Sequence, residues 1–360
     1  MRVILSCGGT GGHIYPAIAI ADKICEKDPD AKILFIGTKK GMENNLVPAA
    51  GYEIKGIDAS GFNRKNLLAN FKTLADSVKG GHEAAEIIKE FKPDIAVGTG
   101  GYVTGTVILE AHRAGIPCYI HEQNAIPGLT NKILERFTLK TFISFKESES
   151  SFSHPEKTVL TGNPVRAQFE SLSYEVCRSE LGLNDETMIL VFGGSLGAEL
   201  INEAAVRLID EISEKNVKLY FVTGKRYYND ILEKTKYKNM KNVVLIPYAD
   251  NMPKLMSACD IVVSRAGAIA VSEIMVCGKA AVLIPSPNVT NNHQYHNAKA
   301  VADNGAAILL EESLMKADPD AFENAIKELL DIEKRKAVSD AAKHLAKPDA
   351  ADIIWQNLKL

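Results

Sequence analysis

Short apolar runs recur along the chain. Between them lie longer stretches whose apolar residues return every three or four positions. The runs Val3–Leu5, Ile33–Ile36, Asp94–Val97, Cys118–Ile120, Thr141–Ser144 and Val159–Leu160 read as strands. Helices are predicted at Ile14–Glu26 and Thr104–Ala114. Strands alternating with helices build a parallel sheet covered on both faces, because a parallel crossover needs a helix-length connection. The turn-rich segment Thr161–Arg166 interrupts this pattern and reads as a hinge. The alternation then restarts, with strands at Met188–Phe192, Lys218–Val222, Val243–Ile246, Ile261–Val263 and Ala280–Ile284. Its helices are predicted at Glu170–Leu181, Asn202–Glu214, Met252–Ser257, Ala268–Cys277, Gln294–Asp303 and Pro319–Glu333. After Lys347-Pro348 a last helix, Ala350–Leu360, carries the single tryptophan, Trp355, and is expected to cross back onto the first half.

Each half opens alike. Val3–Leu5 runs into Gly8-Gly9-Thr10-Gly11-Gly12-His13 and a helix; Met188–Phe192 runs into Gly193-Gly194-Ser195-Leu196-Gly197-Ala198 and a helix. Strand, glycine turn and helix in that order favour anions: glycine lets a ligand approach the backbone, and the helix start offers unpaired N–H groups. The repeat predicts an α/β protein of two doubly wound, Rossmann-like domains facing across a cleft, residues 1–163 with 348–360 returning, and residues 164–347. The length of 360 residues agrees, being more than one core ordinarily holds.

Composition narrows the partners. The chain is 46% hydrophobic and 24% charged with net charge −3, a globular profile without the basic excess expected of a nucleic-acid binder. Six scattered cysteines form no C-x-x-C pair and read as reduced thiols in a cytosolic protein. No run approaches the ~18 apolar residues of a membrane span, and no signal peptide is evident, so a cytoplasmic protein is expected. Residues 61–80 differ. Leu67, Leu68, Phe71, Leu74, Ala75 and Val78 share one helical face, flanked by Arg64, Lys65, Lys72 and Lys79. Two readings are open: a core-facing helix with solvated lysines, or a stripe that lies on an anionic membrane.

Ligands of open α/β sheets bind at the carboxyl ends of the strands. In the first half these tips are Gly8–His13, Gly98–Tyr102 and His121–Asn124; in the second, Gly193–Ala198, Pro247–Asp250, Ser264–Ala268 and Pro285–Pro287. No P-loop occurs. The dinucleotide fingerprint fails too, because Ile14 replaces its third glycine and no acid follows the strand ending at Gly37. Nucleotide binding therefore falls to the second half, where Glu273 could accept two ribose hydroxyls or be a solvated helical acid. Asp28-Pro29-Asp30 sits at the wrong end of a strand for a metal–nucleotide, Asp318-Pro319-Asp320 reads as a helix cap, and His293 and His296 lack a third ligand. No obligatory metal or tightly bound cofactor is expected. His13 is either a local packing residue or a titratable group beside the ligand.

The whole chain resembles the bacterial MurG family of peripheral membrane N-acetylglucosaminyltransferases. The matching stretches are GGTGGHIYPAIAIA (Gly8–Ala21), HEQNAIPGLTNK (His121–Lys132), GNPVR (Gly162–Arg166), GGSLGA (Gly193–Ala198), SRAGAIAVSEI (Ser264–Ile274) and QYHNA (Gln294–Ala298). Thr106 and Lys279 stand where relatives often carry proline, both at scaffold positions. The resemblance implies the GT-B fold and inverting transfer of N-acetylglucosamine from its UDP derivative to the muramoyl 4-hydroxyl of undecaprenyl-linked lipid I, giving lipid II. It implies donor contacts at Thr10, Gly11, Gly12, Asn124, Arg166, Ser195, Ala249, Ala268, Ile269, Ala270, Val271, Ser272, Glu273 and Gln294. Acceptor contacts are expected at Gly100, Gly101 and Tyr102, and a membrane dock at Lys65, Leu67, Leu68, Phe71 and Lys72. His13 is the expected base, with Glu122 orienting it or acting in its place. The expected location is the cytoplasmic face of the cell membrane, among other cell-wall synthesis and division proteins. Two other functions share the architecture: UDP-N-acetylglucosamine 2-epimerases, and non-catalytic modules that bind a sugar nucleotide and recruit it to a membrane.

Overall fold

The computed structural model describes residues 1–59, 69–194, 197–213 and 215–358, and for residues 69–77 and Glu170 the backbone alone. The chain divides into two compact units, Met1–Val165 with Pro348–Leu360, and Arg166–Lys347.

The first unit holds a seven-stranded parallel sheet. Its strands are β1 (Arg2–Cys7), β2 (Lys32–Thr38), β3 (Glu53–Ile57), β4 (Ile95–Gly100), β5 (Cys118–Glu122), β6 (Lys140–Ile143) and β7 (Thr158–Leu160), in the order β3-β2-β1-β4-β5-β6-β7. Period-2 alternation sends Val3, Leu5 and Cys7 to one face, with Phe35, Val97 and Tyr119, under the helix Gly11–Lys27. Ile4, Ile36, Ala96 and Ile120 face the other way, under the helices Ala69–Phe91 and Tyr102–Arg113. The chain order reverses between β1 and β4, so the turns after these two strands stand side by side. There the β1–β4 pairing slips. Ser6 pairs with Gly98 but Cys7 with Gly100, leaving Thr99 as the extra residue of a bulge.

The last helix, Ala350–Asn357, lies on the Gly11–Lys27 helix. Ile354 and Leu358 enter the first unit's core, and Asp352 pairs with Lys23 at 3.0 Å and Lys27 at 3.2 Å. Apolar burial dominates this docking, since the two ion pairs are solvent-facing and such pairs contribute little.

The second unit repeats the plan with β8 (Thr187–Phe192), β9 (Val217–Val222), β10 (Val243–Ile246), β11 (Ile261–Ser264), β12 (Ala280–Leu283) and β13 (Ile308–Leu309), ordered β10-β9-β8-β11-β12-β13. Its reversal falls between β8 and β11, again beside the glycine turn. Two expected helices prove to be pairs. Ser173 interrupts the helix expected over Glu170–Leu181; its hydroxyl accepts from the Val176 N–H and starts Tyr174–Glu180. Asp331 does the same for Ile332–Leu345 through the Lys334 N–H, separating it from Ala321–Leu330.

Replacing the fully buried Ile354 by alanine should lower the unfolding free energy by about 2–5 kcal/mol, measured by urea titration.

Candidate functional site

In the first unit the β1 turn and the β4 turn touch. A Cβ on Gly101 would lie 2.5 Å from the Gly8 carbonyl oxygen, and one on Gly100 would lie 2.4 Å from Nδ1 of His13. Both glycines also have positive φ, +117° at Gly100 and +88° at Gly101, so no other residue fits. The approach brings His13, in the first turn of its helix, over the Thr99 bulge. Its Nδ1 lies 3.1 Å from the Thr99 carbonyl and 3.1 Å from Oε1 of Gln123. Both partners can only accept, so Nδ1 carries the proton and Nε2 the lone pair. Thr99 returns the contact, its hydroxyl donating to the His13 carbonyl at 2.7 Å. Thr10 precedes the helix in extended backbone without a side-chain cap, which leaves the N–H groups of Gly11 and Gly12 at the helix mouth. Gly9 is different: its N–H donates to the fully buried Glu43 carboxylate, which also accepts from Thr38. Glu43 reaches the turn from the start of the short helix Glu43–Ala49, and protein donors occupy its oxygens.

Glu122 does not orient His13. Its buried carboxylate accepts from the N–H and the side-chain amide of Asn124 and from the Gly128 N–H and Asn131 Nδ2, at 2.8–3.2 Å. Four donors fold the 123–128 turn around it. The residue that reaches His13 is Gln123, one position on and on the other face of the sheet. Tyr102 begins its helix about two-thirds exposed. Lys65, Leu67 and Leu68 lie outside the described residues, as do the side chains of Phe71 and Lys72. Val78, at the end of the expected stripe, is exposed.

In the second unit the β8 turn again needs glycine. A Cβ on Gly197 would meet the Thr223 carbonyl at 2.3 Å, and one on Gly193 the Ala198 nitrogen at 2.3 Å. Ser195 lies outside the described residues. Beside this turn starts the helix Ala268–Val276, with extended Gly267 before it and no acid in its first turn. Ala268, Ile269 and Val271 are buried, Ala270 is half-buried, and the Ser272 hydroxyl bonds back to the Ala268 carbonyl. Glu273 is buried, and Arg166 Nη2 lies 3.3 Å from it. Burial pushes its carboxyl up to about 7, against the pull of the Arg166 guanidinium. Ala249 sits half-buried in the loop after β10. Gln294 accepts from the Ser286 N–H at 2.9 Å, tying the β12 tip to the helix His293–Ala302.

Asp28 is engaged by the chain's own N-terminus at 2.7 Å, and Asp318 by the Asp320 N–H. Among the described residues no three His, Cys, Asp or Glu side chains converge. Sequence reasoning passed over Gln123, His121, Thr99 and Glu43 as partners in this site.

Two doubly wound sheets of like order, each with glycine turns at the reversal of its strands, form the GT-B glycosyltransferase architecture. Models of the glycosyltransferase family 28 N-terminal and C-terminal domains match residues 3–143 and 188–354. The chain belongs to glycosyltransferase family 28. It is 44% identical over 364 residues to the UDP-N-acetylglucosamine–N-acetylmuramyl-(pentapeptide) pyrophosphoryl-undecaprenol N-acetylglucosamine transferase of Thermoanaerobacter sp. strain X514, covering 100% of this chain and 99% of that one. The crystal structure of Acinetobacter baumannii MurG superposes with a TM-score of 0.78 at 28% identity, covering 99% of this chain and 98% of that one. A UDP-GlcNAc 2-epimerase from Neisseria meningitidis, bound to UDP-GlcNAc, shares the fold alone, with a TM-score of 0.68 at 15% identity over 99% of each chain.

The raised Glu273 pKa has a sign. The folded chain binds this proton more tightly than the unfolded one. That contribution to stability is complete below pH 4.5 and is lost as pH rises through about 7. Glu273→Gln should therefore gain stability relative to the native chain between pH 5 and pH 8, read from urea midpoints at the two pH values.

Proposed function

We propose that this chain transfers N-acetylglucosamine from UDP-N-acetylglucosamine to the 4-hydroxyl of the muramoyl-peptide sugar of undecaprenyl-linked lipid I, with inversion, forming lipid II. The carrying observation is full-length identity of 44% to a transferase whose name states that donor group and that acceptor. The geometry of His13 supports the chemistry. Inversion needs one displacement: the acceptor oxygen attacks the anomeric carbon, a base takes its proton, and UDP departs. His13 keeps a lone pair on Nε2, while Glu122 is held by four donors, so His13 is assigned the base and Glu122 the folding of its neighbouring turn.

The nucleotide is assigned to the second unit. Glu273 would accept the ribose hydroxyls, exchanging Arg166 for the ligand. Arg166 and the N–H groups of the Gly193–Ala198 turn, with Ser195, would meet the charge that develops on the departing diphosphate. The backbone at Ala249 and the segment Ala268–Ser272 would line the nucleotide, and Gln294 the sugar hydroxyls. No divalent metal is assigned a role. In the first unit Thr10, Gly11, Gly12 and Asn124 would complete the donor contacts, and Gly100, Gly101 and Tyr102 would hold the acceptor.

Among the described residues no helix is long and apolar enough to cross a membrane. A lipid-borne acceptor then requires a docking surface, and we assign it to Lys65, Leu67, Leu68, Phe71 and Lys72 at the cytoplasmic face of the cell membrane.

His13→Ala should lower kcat about 10²–10⁴-fold with purified lipid I analogue while leaving UDP affinity intact; an unchanged kcat removes His13 from the reaction. Lys65→Glu with Lys72→Glu should weaken sedimentation with phosphatidylglycerol vesicles and leave binding of UDP unchanged.

A further inference from the structure

Behind His13 stands a buried polar chain that the transfer reaction does not by itself call for. His121 is fully buried on β5, and its Nε2 lies 3.0 Å from the Gly162 carbonyl, which can only accept. Nε2 therefore carries the proton and Nδ1 the lone pair. The Ser144 hydroxyl sits 3.3 Å from the same nitrogen and donates onward within the network. Nδ1 of His121 faces Nε2 of Gln123 at 2.9 Å, and that amide nitrogen also donates to the Thr99 carbonyl at 2.7 Å. Gln123 is thereby held one way round. Turned over, its oxygen would face three acceptors, the lone pair of His121, the His121 carbonyl and the Thr99 carbonyl. Held as it is, the oxygen faces Nδ1 of His13 at 3.1 Å.

We propose that His121 and Gln123 are positioning residues that set the tautomer of His13: the Gly162 carbonyl fixes His121, His121 fixes the Gln123 amide, and Gln123, with the Thr99 carbonyl, keeps the His13 proton on Nδ1 and its lone pair on Nε2. The functional consequence rests on the assignment of His13 as base; the tautomer itself does not. An imidazole protonated at Nε2 could not accept a proton there, so each link acts by keeping the base in its competent form. Burial holds His121 down at about 4, so near neutral pH it does not become a double donor that would turn the amide over. Distances suit the scheme throughout: all the links lie between 2.7 and 3.1 Å.

Two variants test it: Gln123→Met, which keeps length and removes the acceptor, and His121→Phe, which keeps an aromatic ring and removes the Nδ1 lone pair that faces the amide. ¹⁵N-histidine NMR of the ligand-free full chain, with the His13 signals identified by their loss in His13→Gln, reads the tautomer directly. The native protein should show His13 as the Nδ1–H form alone. Both variants should show the Nε2–H form beside it, and kcat should fall about tenfold, the size of one lost hydrogen bond, with the donor KM unchanged. A native His13 protonated at Nε2 overturns the proposal. So does a Gln123→Met protein in which His13 remains wholly Nδ1–H, even if kcat falls. If His13→Gln keeps full kcat while the tautomer responds as expected, the base assignment fails and the positioning chain stands. If His121→Phe does not fold, Gln123→Met decides alone.

Discussion

The first unit depends on one close approach: the β1 turn against the β4 turn at the reversal of the sheet. Two parallel strands that send their connections in opposite directions leave a crevice between their ends. Gly100 and Gly101 let that crevice narrow until a backbone carbonyl and an imidazole stand where a Cβ would be. The bulge at Thr99 is what makes the contact useful. A residue left out of the ladder has a carbonyl not taken by the neighbouring strand, and here that carbonyl accepts from His13 and from Gln123. The Thr99 hydroxyl closes the loop by bonding the His13 carbonyl. The ladder gives up some regularity, and in return the ring orientation of His13 is set by backbone.

The second unit uses the same topology for a different purpose. Its glycine turn also packs without Cβ atoms against a neighbouring strand end, at Gly197 and the Thr223 carbonyl. The neighbours it meets are Ala198, Thr223 and Tyr227. The helix that starts beside the turn instead carries a buried carboxylate, Glu273, whose nearest cation is Arg166 at 3.3 Å. A buried acid with one loosely placed cation is poorly solvated, which is why its carboxyl is pushed upward. Such a group gains from hydroxyl donors, the ligand chemistry proposed for it. A repeated strand order thus presents different side chains, and so different chemistry, at the strand tips of the two units.

Much of the fold, and part of the candidate site, was legible in the sequence. The strand–glycine–helix repeat announced two sheets, and the rule that ligands gather at carboxyl strand ends selected the tips that carry His13, Gly100, Gly101 and Glu273. One misreading was avoidable. Residues alternate across a strand, so His121 and Gln123 share the face of Tyr119, under the helix whose first turn holds His13, and Glu122 points to the opposite face. Glu122 is the more chemically suggestive residue, and its carboxylate drew attention that the period-2 pattern would have sent to Gln123. The broken helices at Ser173 and Asp331 were likewise announced by residues that cap well, within runs whose apolar spacing alone read as continuous.

By itself the sequence determined the alternation of strands and helices, the doubling of the plan and the family, because periodicity and glycine placement are local properties that survive without coordinates. What only the tertiary structure decided is which groups satisfy one another. That Glu43 takes the Gly9 N–H, that His121 meets the Gly162 carbonyl and that Gln123 reaches His13 all join residues 34 to 110 positions apart. Hydrogen-bond partnership at such separation depends on strand register and on one bulge. Neither is written in any single stretch of chain.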